Sequence, residues 1–192
     1  MDNEKNKRAL LVIDIQEDAT GTKSKSPYKD TNKLINDANL IINESNKKGI
    51  AIIYIKHYFK NNFFYRLINR NRFIKGTPGS EIDSRINIIG NNIFTKEKGD
   101  AFTNSDLNDF IMEKGIKELF IIGLDAANCV YKTSKGAKYR GYKVFVIVDA
   151  IVTSNMGNMP KILEKFKQGG IGLISFEEFK KLTKRSNYLI NV

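Results

Sequence analysis

The chain has 192 residues, with 32 lysines and arginines against 21 aspartates and glutamates and a formal net charge of +11. That length suits one domain, 1–192, burying roughly 70% of its unfolded surface, and no run of about 18 apolar residues is present to cross a membrane. The positive charge is scattered among mixtures such as FEEFKKLTKR, without RNA-module or zinc-finger spacing, so no nucleic-acid partner is expected.

At the N-terminus, MDNEKNKR is followed by the short run ALLVI and then Asp14. This lacks the apolar core and cleavage site of a secretory signal. A single cysteine cannot form an internal disulfide, and a cytoplasmic protein is expected. ALLVIDI (9–15) is a continuous apolar run ending in an acid, as expected of a parallel strand covered on both faces. TNKLINDANLIINESNKKG (31–49) predicts a helix with Thr31 as its cap, Leu34, Ala38 and Ile41 on one face, and Gly49 as its stop. IAIIYIKHY (50–58) predicts a second strand.

Residues 59–90 read as irregular, with a turn at Pro78-Gly79. NNIFTK (91–96) predicts a third strand and SDLNDFIMEKG (105–115) a capped helix. ELFIIG (118–123) predicts a fourth strand, NCVYKTSKGAKYRG (128–141) a helix, and YKVFVIVDA (142–150) a fifth strand. A helix near 159–168, a short GLIS strand and a helix from about 176 complete the pattern. Strand–helix–strand units in succession predict an α/β fold with three layers, a central, mainly parallel sheet of about six strands between two helical layers. Reactive groups in such sheets collect beyond the carboxyl ends of the strands. Asp14, Lys96 and Cys129 all fall at that edge.

Cys129, the single cysteine, opens a predicted helix, where free N–H groups and the helix dipole lower a thiol's pKa and favour the thiolate nucleophile. An ammonium beside it acts in the same direction. Asp14 is placed to accept the thiol proton and return it to a leaving amine, while N–H groups of the helix start face a developing oxyanion. Each residue also has a structural reading. Free cysteine is often a buried filler, an acid after a strand can cap a loop, and composition alone does not separate Lys96 from Lys98.

Four segments, LLVIDIQED (10–18), KGTPGSEID (75–83), KEKGDAF (96–102) and GLDAANCVYKTSKGAKYRGYKVFVIVDA (123–150), resemble the isochorismatase-like cysteine hydrolases, which include nicotinamidases and N-carbamoylsarcosine amidohydrolases. The resemblance implies a Rossmann-like hydrolase fold and a catalytic triad of Asp14, Lys96 and Cys129, with the lysine six positions before Phe102. It also implies a cis peptide between Leu124 and Asp125, and an oxyanion hole made by the N–H groups of Asp125 and Cys129. Gln16, His57 and Phe102 are candidates for the substrate pocket. Its walls are expected from the 16–28 loop, the 58–75 insertion and residues near 151–156.

The family pattern is altered at three places: Ala19 replaces an aromatic, Asp100 a frequent serine, and Ala126 a threonine that would brace the turn. Nicotinamidases bind a divalent ion with an Asp and two His, but this chain has one histidine, so no metal and no other cofactor is expected. The implied activity is hydrolysis of a C–N bond in a small amide, ureide or carbamoyl compound. Vinyl ether cleavage, as by isochorismatase, and a non-catalytic binding protein are the alternatives. A homo-oligomer is expected, and the aromatic and basic insertion YFKNNFFYRLINRNRF suits a subunit interface, or an anionic or planar substrate.

Overall fold

The computed structural model describes residues 7–26 and 28–182. In chain order the first half comprises β1 (Arg8–Ile13), α1 (Glu17–Thr20), α2 (Thr31–Lys47), β2 (Ala51–His57), α3 (Phe63–Ile68) and β3 (Ile93–Lys96). The second half comprises α4 (Ser105–Glu113), β4 (Glu118–Leu124), α5 (Tyr131–Tyr139), β5 (Lys143–Val152), α6 (Met159–Gln168), β6 (Gly172–Ile174) and α7 (Phe176–Lys181).

Side chains of a strand alternate between faces, so a run that is apolar at every position needs cover on both sides. In β1, Ala9, Leu11 and Ile13 enter one core with Leu107 and Ile111 of α4, Ala137 of α5, and Ile162 and Phe166 of α6. Leu10 and Val12 enter the other with Leu34, Ala38 and Ile41 of α2 and Phe179 of α7. Two helical layers thus enclose one sheet, giving the expected α/β/α architecture.

The six strands run in the order β3-β2-β1-β4-β5-β6, and every neighbouring pair is parallel. The order reverses between β1 and β4, where the connections leave toward opposite sides and open a crevice. Here Ile13 pairs with Gly123. Gly123 holds φ +120, and a Cβ on it would lie 2.1 Å from the Ile13 carbonyl oxygen. Only glycine lets the two strands approach this closely.

Several boundaries differ from the expected ones. β1 ends at Ile13, and Asp14 turns out of the strand with φ 55. Asp30 rather than Thr31 occupies the cap position of α2, without a side-chain cap bond. Residues 59–90 are not loop throughout. They hold α3, capped by Asn62 accepting from the Tyr65 N–H, and a 3-10 turn at Pro78–Ser80. α3 has no buried residue, so no one-sided apolar pattern announces it. No helix among the described residues is long and apolar enough to cross a membrane.

Candidate active site

The register of β2 and β3 sets His57 opposite Lys96, the last residues of their strands. Lys96 is 3% exposed, and its Nζ lies 2.7 Å from Asp14 Oδ2, 3.3 Å from Cys129 Sγ and 3.4 Å from His57 Nδ1. An ammonium has three N–H groups, and these are three acceptors. Burial alone would lower the lysine's pKa. The Asp14 carboxylate and the Cys129 sulfur outweigh it and hold the pKa above its ordinary value.

Asp14 is 4% exposed, its Oδ1 is buried and without a hydrogen-bond partner, and its N–H donates to the Ile55 carbonyl at 2.9 Å. Burial pushes the Cys129 thiol up to about 12; Asp14 adds to the rise and Lys96 opposes it. The expected depression of the thiol pKa is therefore not found in the unliganded site. With its pKa raised, the Cys129 thiol holds its proton near pH 7, beside an ammonium that also contacts the Asp14 side chain.

His57 is fixed from below. The Gln16 amide, fully buried, donates to the His57 carbonyl at 2.9 Å and the Ser80 carbonyl at 2.7 Å, and its Oε1 accepts from the His57 N–H at 2.7 Å. Burial first and the Lys96 ammonium second lower the imidazole pKa to about 4. Neutral histidine thus faces the lysine near pH 7.

Cys129 lies in a wide π-type turn, Ala126–Val130, that leads from β4 into α5. The Leu124–Asp125 peptide is cis. The bracing hydroxyl missing at Ala126 is replaced by the Asp125 carboxylate. Its Oδ1 accepts from the Ala127 N–H at 2.7 Å, and its Oδ2 accepts from the Thr153 hydroxyl and the Ser154 N–H, both at 3.1 Å.

A cavity of about 350 Å³ opens above the sulfur. Asp14, His57, Leu124, Asp125 and Cys129 line it, and the insertion contributes Phe59 and Phe73. Tyr28 closes it from the 16–28 loop; burial first, then the charges of Asp125 and Cys129, hold its phenol well above the ordinary range.

Other expectations are corrected. Gln16 does not line the cavity, because its amide is used up on the backbone of residues 57 and 80. Phe102 does not line it either; it is 1% exposed in the core and stacked on Tyr142. Residues 151–156 are absent from the walls, and Thr153 and Ser154 instead tie down Asp125. Glu97, Asn128 and Lys132, which do line the cavity, carry no distinguishing signal in a chain so rich in these residue types. Asn128 and Lys132 bracket the cysteine at one-residue and three-residue spacing on a turning backbone, which is the one hint available.

The isochorismatase domain family model matches residues 8–178. An uncharacterized isochorismatase family protein of Bacillus subtilis (strain 168), YddQ, is 28% identical over 156 residues, covering 81% of this chain and 83% of that protein. Among solved structures, an isochorismatase-like hydrolase from Alkaliphilus metalliredigens aligns with a TM-score of 0.82 at 21% identity, over 90% of this chain and 97% of that one. The pyrazinamidase of Pyrococcus horikoshii, solved in complex with zinc, aligns at 0.78 with 23% identity, over 88% of this chain and 99% of that one.

Zinc does not suit the residues at this edge. Among the described residues no three His, Cys, Asp or Glu side chains are grouped to hold a metal ion. His57 is bracketed by the Lys96 ammonium and the rings of Phe59 and Phe73, at 4.6 and 6.1 Å between centroids. A cation and two apolar rings are not a ligand set.

Proposed function

The chain belongs to the isochorismatase family, and on that premise we propose that it is a cysteine hydrolase cleaving the C–N bond of a small amide, ureide or carbamoyl compound. The observation that carries this reading is the single ammonium held 2.7 Å from a buried carboxylate and 3.3 Å from the sulfur, at the floor of an open cavity.

In the proposed reaction Cys129 Sγ attacks the substrate carbonyl carbon while its proton passes to Asp14. This shift trades a carboxylate for a thiolate at constant site charge, with the ammonium of Lys96 in contact with both, so no buried charge has to be created. The carbonyl oxygen becomes an oxyanion, and the N–H groups of Asp125 and Cys129 are its proposed donors. Collapse of the tetrahedral adduct breaks the C–N bond as Asp14 returns its proton to the departing nitrogen, leaving a thioester. Water, giving a proton to Asp14, then attacks the thioester; as the C–S bond breaks Asp14 passes that proton to the departing sulfur, releasing the acid and restoring the thiol and the carboxylate. The neutral imidazole of His57 serves as the third acceptor that keeps the ammonium oriented.

The test is release of ammonia from a panel of amides, ureides and carbamoyl compounds, with pyruvate release from isochorismate as the arm for vinyl ether chemistry. Ammonia release abolished by Cys129→Ala is the expected result. Pyruvate release that survives Cys129→Ala would overturn the reading. Because the residues do not suit zinc, prolonged EDTA is expected to leave turnover unchanged, and a loss restored by added zinc counts against the site as described.

A homo-oligomer is part of the same proposal. Phe63, Phe64, Leu67 and Ile68 of α3 are 59–82% exposed, an apolar group that supports self-association. Sedimentation of wild type against Phe64→Ser reads it directly.

A further inference from the structure

The cavity above Cys129 continues outward. A second recess of about 380 Å³ shares Tyr28, Phe59 and Phe73 with it and adds Ile68, Arg70 and Arg72. The two compartments differ in charge. The inner one carries the carboxylates of Asp14, Glu97 and Asp125 against one lining ammonium, that of Lys132, whereas the ionised groups on the walls of the outer one are two guanidiniums.

Neither arginine takes part in an ion pair among the described residues. Arg72 donates through Nη2 to the Asp18 carbonyl at 3.1 Å and lies 5.4 Å over the Phe73 ring, but its Nε is buried and has no acceptor. The Asp18 carboxylate does not serve it; Oδ2 accepts from the Phe73 N–H at 2.6 Å. A buried N–H of a charged group without a partner is costly, and an arriving oxygen removes that cost.

The backbone here is held in an unfavourable form as well. Arg70, Asn71 and Phe73 have φ of 51, 58 and 53, a region that residues with side chains rarely occupy and that persists where surrounding bonds enforce it. Phe59 holds Phe73, donating to its carbonyl at 2.6 Å and accepting from the Lys75 N–H at 2.9 Å, while the N–H groups of Arg70 and Asn71 donate to the carbonyls of Leu67 and Arg66. Strain of this kind concentrates at ligand clamps.

We infer that the outer recess is a carboxylate site with Arg72 as its principal ligand, so that the substrate is an amide or ureide bearing a carboxylate at the end remote from the scissile bond. The amide half of that statement rests on the cysteine-hydrolase reading; the carboxylate half does not. A guanidinium fork meets a carboxylate with two parallel hydrogen bonds. On the inner walls three carboxylates face one ammonium and on the outer walls only guanidiniums stand, so the outer recess is the better seat for the carboxylate, and the amide is left toward Cys129.

The experiment is isothermal titration into Cys129→Ala, where nothing turns over. The probes are succinamate and N-carbamoylglycine, each against its neutral counterpart, succinamide and N-carbamoylglycinamide. The carboxylates are expected to bind at least tenfold tighter, and adding Arg72→Gln should cut that preference by roughly 10- to 100-fold. Arg72→Lys should fall between, and it carries the test if Arg72→Gln loses the native melting transition. Equal affinity for both members of each pair, no measurable binding of either carboxylate, or a preference that survives Arg72→Gln and Arg72→Lys undiminished would each overturn the inference. Carboxylate preference in binding without ammonia release by the wild type would instead sink the hydrolase reading and leave the recess standing.

Discussion

At the floor of the cavity Lys96 has an acceptor for each of its ammonium protons, and Gln16 saturates the backbone of His57. At the outer wall Arg72 leaves a buried Nε without an acceptor, three residues in four stand in the left-handed region, and the neighbouring α3 turns four large apolar side chains to solvent. The floor is made by strand ends whose positions are set by the register of a parallel sheet. The wall is a connection between β2 and β3 that lies outside the sheet and is pinned by a single bridge, Phe59 to Ile74. Chemistry placed on the floor and recognition placed on the wall can therefore vary independently, which is how one fold comes to serve many substrates.

The most severe way to break this division is to change the floor's charge. Asp14→Asn and Cys129→Ala are each expected to cut turnover by about 10³-fold or more. Asp14→Asn also tests what holds the proton on the thiol. The carboxylate raises the thiol pKa and Lys96 lowers it, so removing the carboxylate's charge leaves the ammonium alone with the sulfur. Iodoacetamide should then alkylate Cys129 faster at pH 7 in the inactive variant than in the wild type. Slower or equal labelling would contradict the carboxylate's part in raising the thiol pKa.

Next in size is stability. Lys96→Ala strands a buried carboxylate and should cost about 3–5 kcal/mol, read from urea unfolding. Phe64→Ser on the wall, 63% exposed as phenylalanine, should stay within about 0.5 kcal/mol. Comparable losses at the two positions would erase the contrast. Gln16→Ala lies between them. It leaves two carbonyls and one N–H without their side-chain partner, and about 2 kcal/mol is expected.

A further effect is one of pH. His57 titrates near 4 in the folded chain against 6.5 as its ordinary value. Between those values the unfolded chain binds the proton and the folded one does not, so stability falls as pH falls through this window. His57→Gln should flatten that part of the melting-temperature profile relative to wild type. An unchanged profile would mean that the imidazole is not held neutral against the lysine.

The sequence went furthest where burial is two-sided. ALLVI, LFII and VFVIV are apolar at every position because helices cover both faces, and that signal survives without any knowledge of neighbours. It failed where burial is absent. α3 fully buries none of its residues, so its helical form left no trace in the hydrophobic pattern. The site was legible to the extent that strand ends were: Asp14, Lys96 and Cys129 could be placed at one edge before any distance was known. Side-chain direction was not legible. Gln16 and Phe102 lie close in sequence to candidate residues, yet the first turns back onto β2 and the second into the core.

Residue order and apolar periodicity alone determined a parallel α/β sheet, the edge at which reactive groups gather and the identity of a lone thiol among them. Tertiary structure alone decided that one ammonium would serve three acceptors, that burial would keep the sulfur protonated at rest, and that an unpaired guanidinium would stand in the outer recess. The reason is physical. Hydrophobic pattern is a property of each segment, whereas desolvation and charge pairing depend on distances between segments far apart in the chain, and those exist only once the sheet has formed.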